Sequence, residues 1–185
     1  MASVVVIYHS GYGHTTKQAE AVAKGAGAAL IAISADGEIG EIGEADWAKL
    51  DAAKAIIFGS PTYMGGASWQ FKKFADASSK AWFTQKWKNK IFAGFTNSAT
   101  MNGDKFSTIQ YFITLSMQHS GVWVGTALMP ANTKAAKHGD VNYVGGFSGA
   151  LMTSPSDSSP DEVNAGDLET ARLLGVRVAE FAAKA

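Results

Sequence analysis

Three short segments hold the side chains that could do chemistry: Ser10-Gly11-Tyr12-Gly13-His14-Thr15, Ser60-Pro61-Thr62-Tyr63-Met64-Gly65-Gly66 and Thr96-Asn97-Ser98-Ala99-Thr100-Met101-Asn102-Gly103. The first suits a phosphate. Its glycines permit a tight turn and close backbone approach, and a helix starting there offers unpaired amides and a positive dipole end. Ser10, Tyr12, Thr15 and Thr16 add hydroxyls. No Gly-Lys-Ser/Thr follows, which disfavours magnesium–nucleotide chemistry, and Thr16 stands where a dinucleotide fingerprint needs its third glycine. With no lysine in the segment, a monophosphate held by neutral hydrogen bonds is the ligand it suits, although a plain strand-to-helix turn would use the same residues. In the second segment Pro61 stiffens the chain and Gly65 and Gly66 free it. Thr62, Tyr63 and Met64 are thereby displayed, a mixture of amides, aromatic ring and thioether that suits a flat heteroaromatic ring. The third is short of charge and rich in groups that both donate and accept, as reading a pyrimidine-like ring edge requires. An ordinary polar connection would look the same.

The elements around these segments decide whether they can meet. Val4 to Tyr8 is a continuous β-branched run, the pattern of a strand buried on both faces. Ala19, Val22, Ala23 and Ala26 follow at helical spacing. Ala29 to Ser34, Ala55 to Gly59, Ile91 to Phe95 and Val122 to Leu128 read as further strands. Helices are expected over Asp46 to Leu50, Gly65 to Ser79 (with Phe71, Phe74, Ala75 and Ser78 on one face), Asp104 to Gln118 and Asp167 to Ala183. The stripe of the last is Leu168, Ala171, Leu174, Val178 and Phe181. The acidic, glycine-rich stretch ADGEIGEIGEADW reads as a surface loop. Residues 129 to 160 read as irregular, with Gly149 to Met152 as a short apolar return to the sheet edge. Strand and helix alternate five times, which predicts an α/β fold with a doubly wound five-stranded parallel sheet in one domain over residues 1–185. Ligands in such sheets lie beyond the carboxyl ends of the strands. The three segments follow strands one, three and four, so they should share one crevice.

The pattern Ser10-x-Tyr12-Gly13-x-Thr15 resembles the phosphate loop of flavodoxins. YHSGYGHTTKQAEAVAKGA, IIFGSPTYMGGASWQFKKFAD, NKIFAGFTNSA and DLETARLLGVRVAEFAAK are similar to the WrbA-type NAD(P)H:quinone oxidoreductases along nearly the whole chain. The resemblance implies a flavodoxin-like fold with strand order 2-1-3-4-5 that binds FMN. It also implies a reaction in which NADH or NADPH passes hydride to the flavin and a quinone takes two electrons. It places Ser10, Gly11, Tyr12, Gly13, His14 and Thr15 on the FMN phosphate. Pro61, Thr62, Tyr63, Met64 and Gly65 fall along the isoalloxazine, and Thr96 to Asn102 at the ring edge. Tyr12 and Trp82 would meet the substrates, and His119 would stand near the flavin. A homodimer or homotetramer is implied as well. The chain departs from the family at Ala99, Met101 and Asn102, which replace small or glycine positions, and at Tyr63, where the family usually has arginine.

Composition bounds the alternatives. Hydrophobic residues make up 46% of the 185 positions and charged residues 17%, a globular balance. Cysteine is absent, excluding disulfides and thiolate chemistry, and a cytoplasmic location is expected. No apolar run approaches the roughly 20 residues that span a bilayer, and no signal segment is apparent, so no membrane partner is expected. Sixteen basic and sixteen acidic side chains cancel, leaving no footprint for nucleic acid. The aromatic and lysine alternation around Trp82 (KAWFTQKWKNK) is too short to change that. No catalytic triad, nucleophile elbow or metal-ligand spacing is present. Flavin chemistry needs none of these, because the cofactor carries the reaction. A one-electron flavodoxin-type carrier that docks to redox proteins is the alternative. Such carriers tend to be strongly acidic, and this chain is neutral. A flavin-free interaction protein on the same fold would have to leave the three segments unused.

Overall fold

Val4–His9 forms β1, and every residue in it is buried, as a β-branched run must be when helices cover both faces of a parallel sheet. Its alternation sorts the core. Val4, Val6 and Tyr8 pack with α1 (His14–Ala26) and α6 (Ala165–Ala182), while Val5 and Ile7 face the aromatic layer of Phe58, Phe71, Phe74, Trp87, Phe92 and Phe112. The computed structural model describes residues 3–35 and 43–185; most of the acidic loop expected after the second strand lies outside them.

Among the described residues the strands run β2 (Ala29–Ile33), β1, β3 (Ala55–Tyr63), β5 (Ile91–Ser98) and β6 (Val122–Trp123), in parallel pairs. This is the order 2-1-3-4-5 in the strands the sequence predicts. α2 (Glu44–Ala52), α3 (Trp69–Ala77), α4 (Ser79–Phe83) and α5 (Lys105–Gln118) complete the alternation.

Four boundaries differ from expectation. The third strand does not stop at Gly59 but continues to Tyr63. Beyond Gly59 it has left β1; Ser60 and Pro61 pair with β5 alone, so Pro61 can sit opposite Asn97 without breaking a central ladder, and Thr62 and Tyr63 pair with the strand that follows. Residues Gly65 to Ser68 are not helical. Met64 (φ 47°) and Gly65 (φ 78°) turn the chain back into β4 (Gly66–Ala67), antiparallel to β3, and Ser68 then caps α3 by accepting from the Phe71 amide. Thr96, Asn97 and Ser98 belong to β5, not to a loop. The fifth strand is split: β6 pairs with Ile91 and Phe92, the chain leaves the sheet, and β7 (Ala150–Thr153) returns beside Phe95–Ser98. Asn142 anchors that excursion, donating to the Leu128 carbonyl and accepting from the Gly146 amide.

On α6 the buried stripe is Asp167, Thr170, Ala171, Leu174, Gly175, Val178 and Ala182, rotated from the one expected. Phe181 lies outward under the Arg177 guanidinium. The rotation follows from close packing of α1 on α6, where a Cβ at Gly175 would lie 2.1 Å from the Val22 carbonyl oxygen.

Candidate functional site

The β1–α1 turn presents a row of donors. Ser10 Oγ accepts from the amides of Gly13 (3.1 Å) and Thr16 (3.3 Å), which closes the turn from within. Gly13, at φ 91°, caps α1 without a side-chain bond. Among the described residues the amides of Gly11, Tyr12, His14 and Thr15 meet no acceptor in the chain. Four free N–H groups at a helix N-terminus form an anion cradle of neutral chemistry. The His14 ring is turned from it, with Nε2 2.9 Å from the Ser158 carbonyl oxygen.

Beside the cradle is a cavity of about 570 Å³, lined by Tyr12, His14 and Thr15 from the first turn, Pro61, Thr62 and Tyr63 from the end of β3, and Asn97, Ser98 and Ala99 from β5 and its loop. The three predicted segments therefore do share one crevice. None of its lining residues is Lys, Arg, Asp or Glu. Tyr63 reaches across to the first turn, where a Cβ on Gly11 would lie 2.4 Å from its hydroxyl. Its ring meets Tyr12 edge-on with centroids 6.4 Å apart. Burial, together with neighbouring Tyr12, pushes the Tyr63 phenol up.

Hydrogen bonds tie the floor together. Thr15 Oγ1 donates to Asn97 Oδ1 at 2.6 Å, and Asn97 Nδ2 donates to Ser154 Oγ at 2.7 Å. Below them the Thr62 hydroxyl bonds those of Thr96 and Thr108, both at 2.8 Å. Thr96 is fully buried, so its side chain supports the floor and does not face the cavity.

The fourth wall is one the sequence analysis missed: Ser154, Pro155, Ser156 and Ser158, on the strap between β7 and α6. Pro160 on this strap would touch a Cβ on Gly13, and Asp161 pairs with Lys17 at 2.8 Å. The only local signal is a Ser/Pro cluster following the apolar stretch that returns to the sheet edge.

Other predicted residues fall elsewhere. Met64 and Gly65 form the exposed hairpin turn, and Thr100, Met101 and Asn102 form an exposed bend beyond the lining residues. Trp82, 44% exposed, lies on α4 in a separate shallow hollow with Ser79, Lys80, Phe83 and Thr84. His119 does not join the crevice. It ends α5, buried against Trp87 at 4.4 Å between ring centroids, with Nε2 2.9 Å from Ser78 Oγ. α5 runs back against the parallel strands, so its end lies at the opposite edge of the sheet. Burial drives the His119 imidazole down to about 4.

No group of three or more His, Asp or Glu side chains able to hold a metal occurs among the described residues, and no described helix is long and apolar enough to cross a membrane.

Comparison with known proteins gives this geometry a lineage. Residues 13–135 match the family described as NADPH-dependent FMN reductase. The chain is 51% identical to flavodoxin FldP of Pseudomonas aeruginosa over 98% of this chain and 97% of that protein. It is 34% identical to an NAD(P)H dehydrogenase (quinone) of Rhizobium rhizogenes over 100% of this chain and 98% of that one. Among solved structures it resembles the flavodoxin, WrbA-like protein from Agrobacterium tumefaciens, with a TM-score of 0.82 and 51% identity, covering 100% of this chain and 99% of that one. The chain belongs to the NADPH-dependent FMN reductase family, as an FMN-dependent oxidoreductase of the flavodoxin-like, WrbA-type fold.

Proposed function

We propose that the chain binds FMN in the crevice, takes electrons from NADH or NADPH, and delivers them in a two-electron step to a small quinone-like acceptor. The observation that carries this reading is the cradle of four acceptor-free amides opening onto an uncharged cavity of about 570 Å³. That size lies within the range of small-molecule sites. The donor set fits the cofactor: neutral N–H groups at a helix N-terminus for its phosphate, and aromatic and hydroxyl side chains for its ring system.

In this reading Ser10 shapes the turn, and the amides of Gly11, Tyr12, His14 and Thr15 hold the phosphate. Pro61, Thr62 and Tyr63 line one side of the ring, and Asn97, Ser98 and Ala99 the other. Thr100, Met101 and Asn102 reach the ring edge. The strap at Ser154–Ser158 excludes water from the phosphate side. Tyr12, exposed at the mouth, is placed to meet an incoming nicotinamide. Bound FMN supplies the redox chemistry, since its ring can accept a hydride and release two electrons. Trp82 stands outside the crevice of its own chain, so a substrate wall from Trp82 would have to come from a second copy in a homodimer or homotetramer.

A flavodoxin-type carrier is the second reading, and the 51% identity to a protein named flavodoxin favours it. The balance of sixteen acidic and sixteen basic residues argues against it, since it gives no field for steering a charged redox partner. Steady-state oxidation of NADH and NADPH by FMN-loaded protein, with and without benzoquinone, decides between them. Quinone-dependent turnover supports the reductase. Tight FMN binding without turnover supports the carrier, and failure to bind FMN removes both.

A further inference from the structure

Lys105 is the first residue of α5 and is 1% exposed, one of the largest wholly buried side chains of the protein. The position is unfavourable twice over: burial strips the ammonium of water, and the start of a helix is the positive end of its dipole. Something must hold the charge there. Nζ donates to the carbonyl oxygens of Thr100 (2.6 Å) and Met101 (3.0 Å) and to Thr153 Oγ1 (3.3 Å), which uses all three ammonium hydrogens. The balancing anion is Asp167, also 1% exposed, in the first turn of α6. Its Oδ2 accepts from the Thr153 amide and lies by His138 Nε2, both at 3.0 Å, while its buried Oδ1 has no hydrogen-bond partner. Thr153 thus stands between the two charges, its amide turned to the carboxylate and its hydroxyl to the ammonium. Burial lowers the ammonium to about 8, with Asp167 opposing, so the charge persists at neutral pH.

The two carbonyls matter for what they do to the amides behind them. In a trans peptide the C=O and N–H point in opposite directions. Turning the Thr100 and Met101 carbonyls onto Lys105 therefore turns the Met101 and Asn102 N–H groups away from it. Among the described residues neither of these amides meets an acceptor. The bend adjoins Ser98 and Ala99, which line the crevice. The chain therefore holds two adjacent free donors beside the cavity, fixed from below by a buried cation.

We propose that Lys105 is a positioning residue for the flavin, holding the Thr100–Asn102 bend with the Met101 and Asn102 amides toward the ring edge and placing a buried positive charge behind them. This rests on the reading that FMN occupies the crevice. Its consequence is selective, because a positive field at the ring edge favours the electron-rich reduced cofactor over the oxidised one. Asp167, the counter-charge, works in the opposite sense.

The test uses the full chain loaded with FMN, in wild-type form and as Lys105→Met and Asp167→Asn, with flavin midpoint potential and oxidised-FMN dissociation constant as readouts. Lys105→Met is expected to lose about tenfold more affinity for reduced than for oxidised FMN, which for a two-electron couple is a fall of about 30 mV. Asp167→Asn keeps an acceptor for the Thr153 amide and is expected to raise the potential. If Lys105→Met does not fold, the sign of the Asp167→Asn shift alone decides. Unchanged potentials in both variants, or shifts of the same sign, overturn the proposal while leaving FMN binding intact. Wild-type protein that fails to bind FMN instead overturns the reading beneath it.

Discussion

The Thr15 hydroxyl donates to the Asn97 side-chain oxygen at 2.6 Å, joining the first turn of α1 to the end of β5 across 82 residues of chain. Asn97, 5% exposed, passes the connection on to Ser154 on the strap. One amide thus ties the phosphate turn, the end of β5 and the fourth wall into a single floor. Asn97→Ala leaves two buried hydroxyls without their partner, a loss on the order of 2 kcal/mol. We expect urea unfolding to show that loss and a flavin fluorescence titration to show FMN binding weakened about tenfold. Full stability loss with unchanged FMN affinity would confine Asn97 to the scaffold.

Gly11 and Gly13 stand in the same turn but predict different outcomes. At Gly13, φ is 91° and an added Cβ would lie 2.7 Å from Pro160 Cγ, so Gly13→Ala combines backbone strain with a clash against the strap. A cost of about 1–3 kcal/mol is expected, with weaker FMN binding. At Gly11 the added Cβ meets only the outer end of the Tyr63 side chain, its hydroxyl first at 2.4 Å, and that side chain can swing away. Gly11→Ala should change stability by no more than about 0.5 kcal/mol while moving Tyr63 and altering the KM for the acceptor. Thermal unfolding and steady-state kinetics on the pair check the contrast. Equal destabilisation would contradict it.

The alternation of strands and helices was legible because β-branched runs buried on both faces announce themselves locally, as Val4 to Tyr8 does. The turn after that run was legible for the same reason, since its glycines and hydroxyls are consecutive. What escaped is what long-range contact decides. Pro61 reads as the end of a strand, yet β3 passes through it because pairing with β1 has stopped at Gly59 and Pro61 has a ladder partner only in β5. Val122 to Leu128 reads as one strand, yet only Val122 and Trp123 pair. The chain leaves the sheet there, and at Gly125 a Cβ would strike the Phe147 carbonyl at 2.4 Å. The strap at Ser154–Ser158 has a linker's composition, and its bond to His14 spans 144 residues. Lys105 and Asp167 carry no local signal of the burial that the fold imposes on both, because only the packing of distant segments covers them.

None of the crevice's lining residues is Lys, Arg, Asp or Glu, so phosphate recognition falls to the turn amides and the helix dipole. FMN should therefore bind at least tenfold more tightly than riboflavin, which lacks the phosphate, given about 0.3–2 kcal/mol from the dipole and about 1.5–3 kcal/mol per hydrogen bond to a charged group. Paired fluorescence titrations at low and high salt measure this. Equal affinities for the two flavins would remove the phosphate from the β1–α1 turn.

His119 gives the fold a sensitivity to acid that is independent of the flavin. The Ser78 hydroxyl donates to the Ala75 carbonyl at 2.6 Å, so His119 Nε2–H is left to donate to Ser78 Oγ, and Nδ1 is a buried nitrogen without a partner. Protonating Nδ1 would place an unpaired charge against Trp87. That is why burial drives the group from 6.5 down to about 4. Between those values the unfolded chain takes up a proton that the folded chain refuses. The contribution is therefore fully present above pH 6.5 and is lost as pH falls toward 4, on the order of 3 kcal/mol in all at about 1.4 kcal/mol per unit. His9, also buried and lowered, acts in the same direction. Urea unfolding from pH 7 to pH 5 should show stability declining in a range above the ordinary carboxylate values. His119→Gln keeps a donor for Ser78 but cannot titrate, so its stability should decline less steeply over that range. An identical slope in the variant would assign the acid sensitivity to other groups.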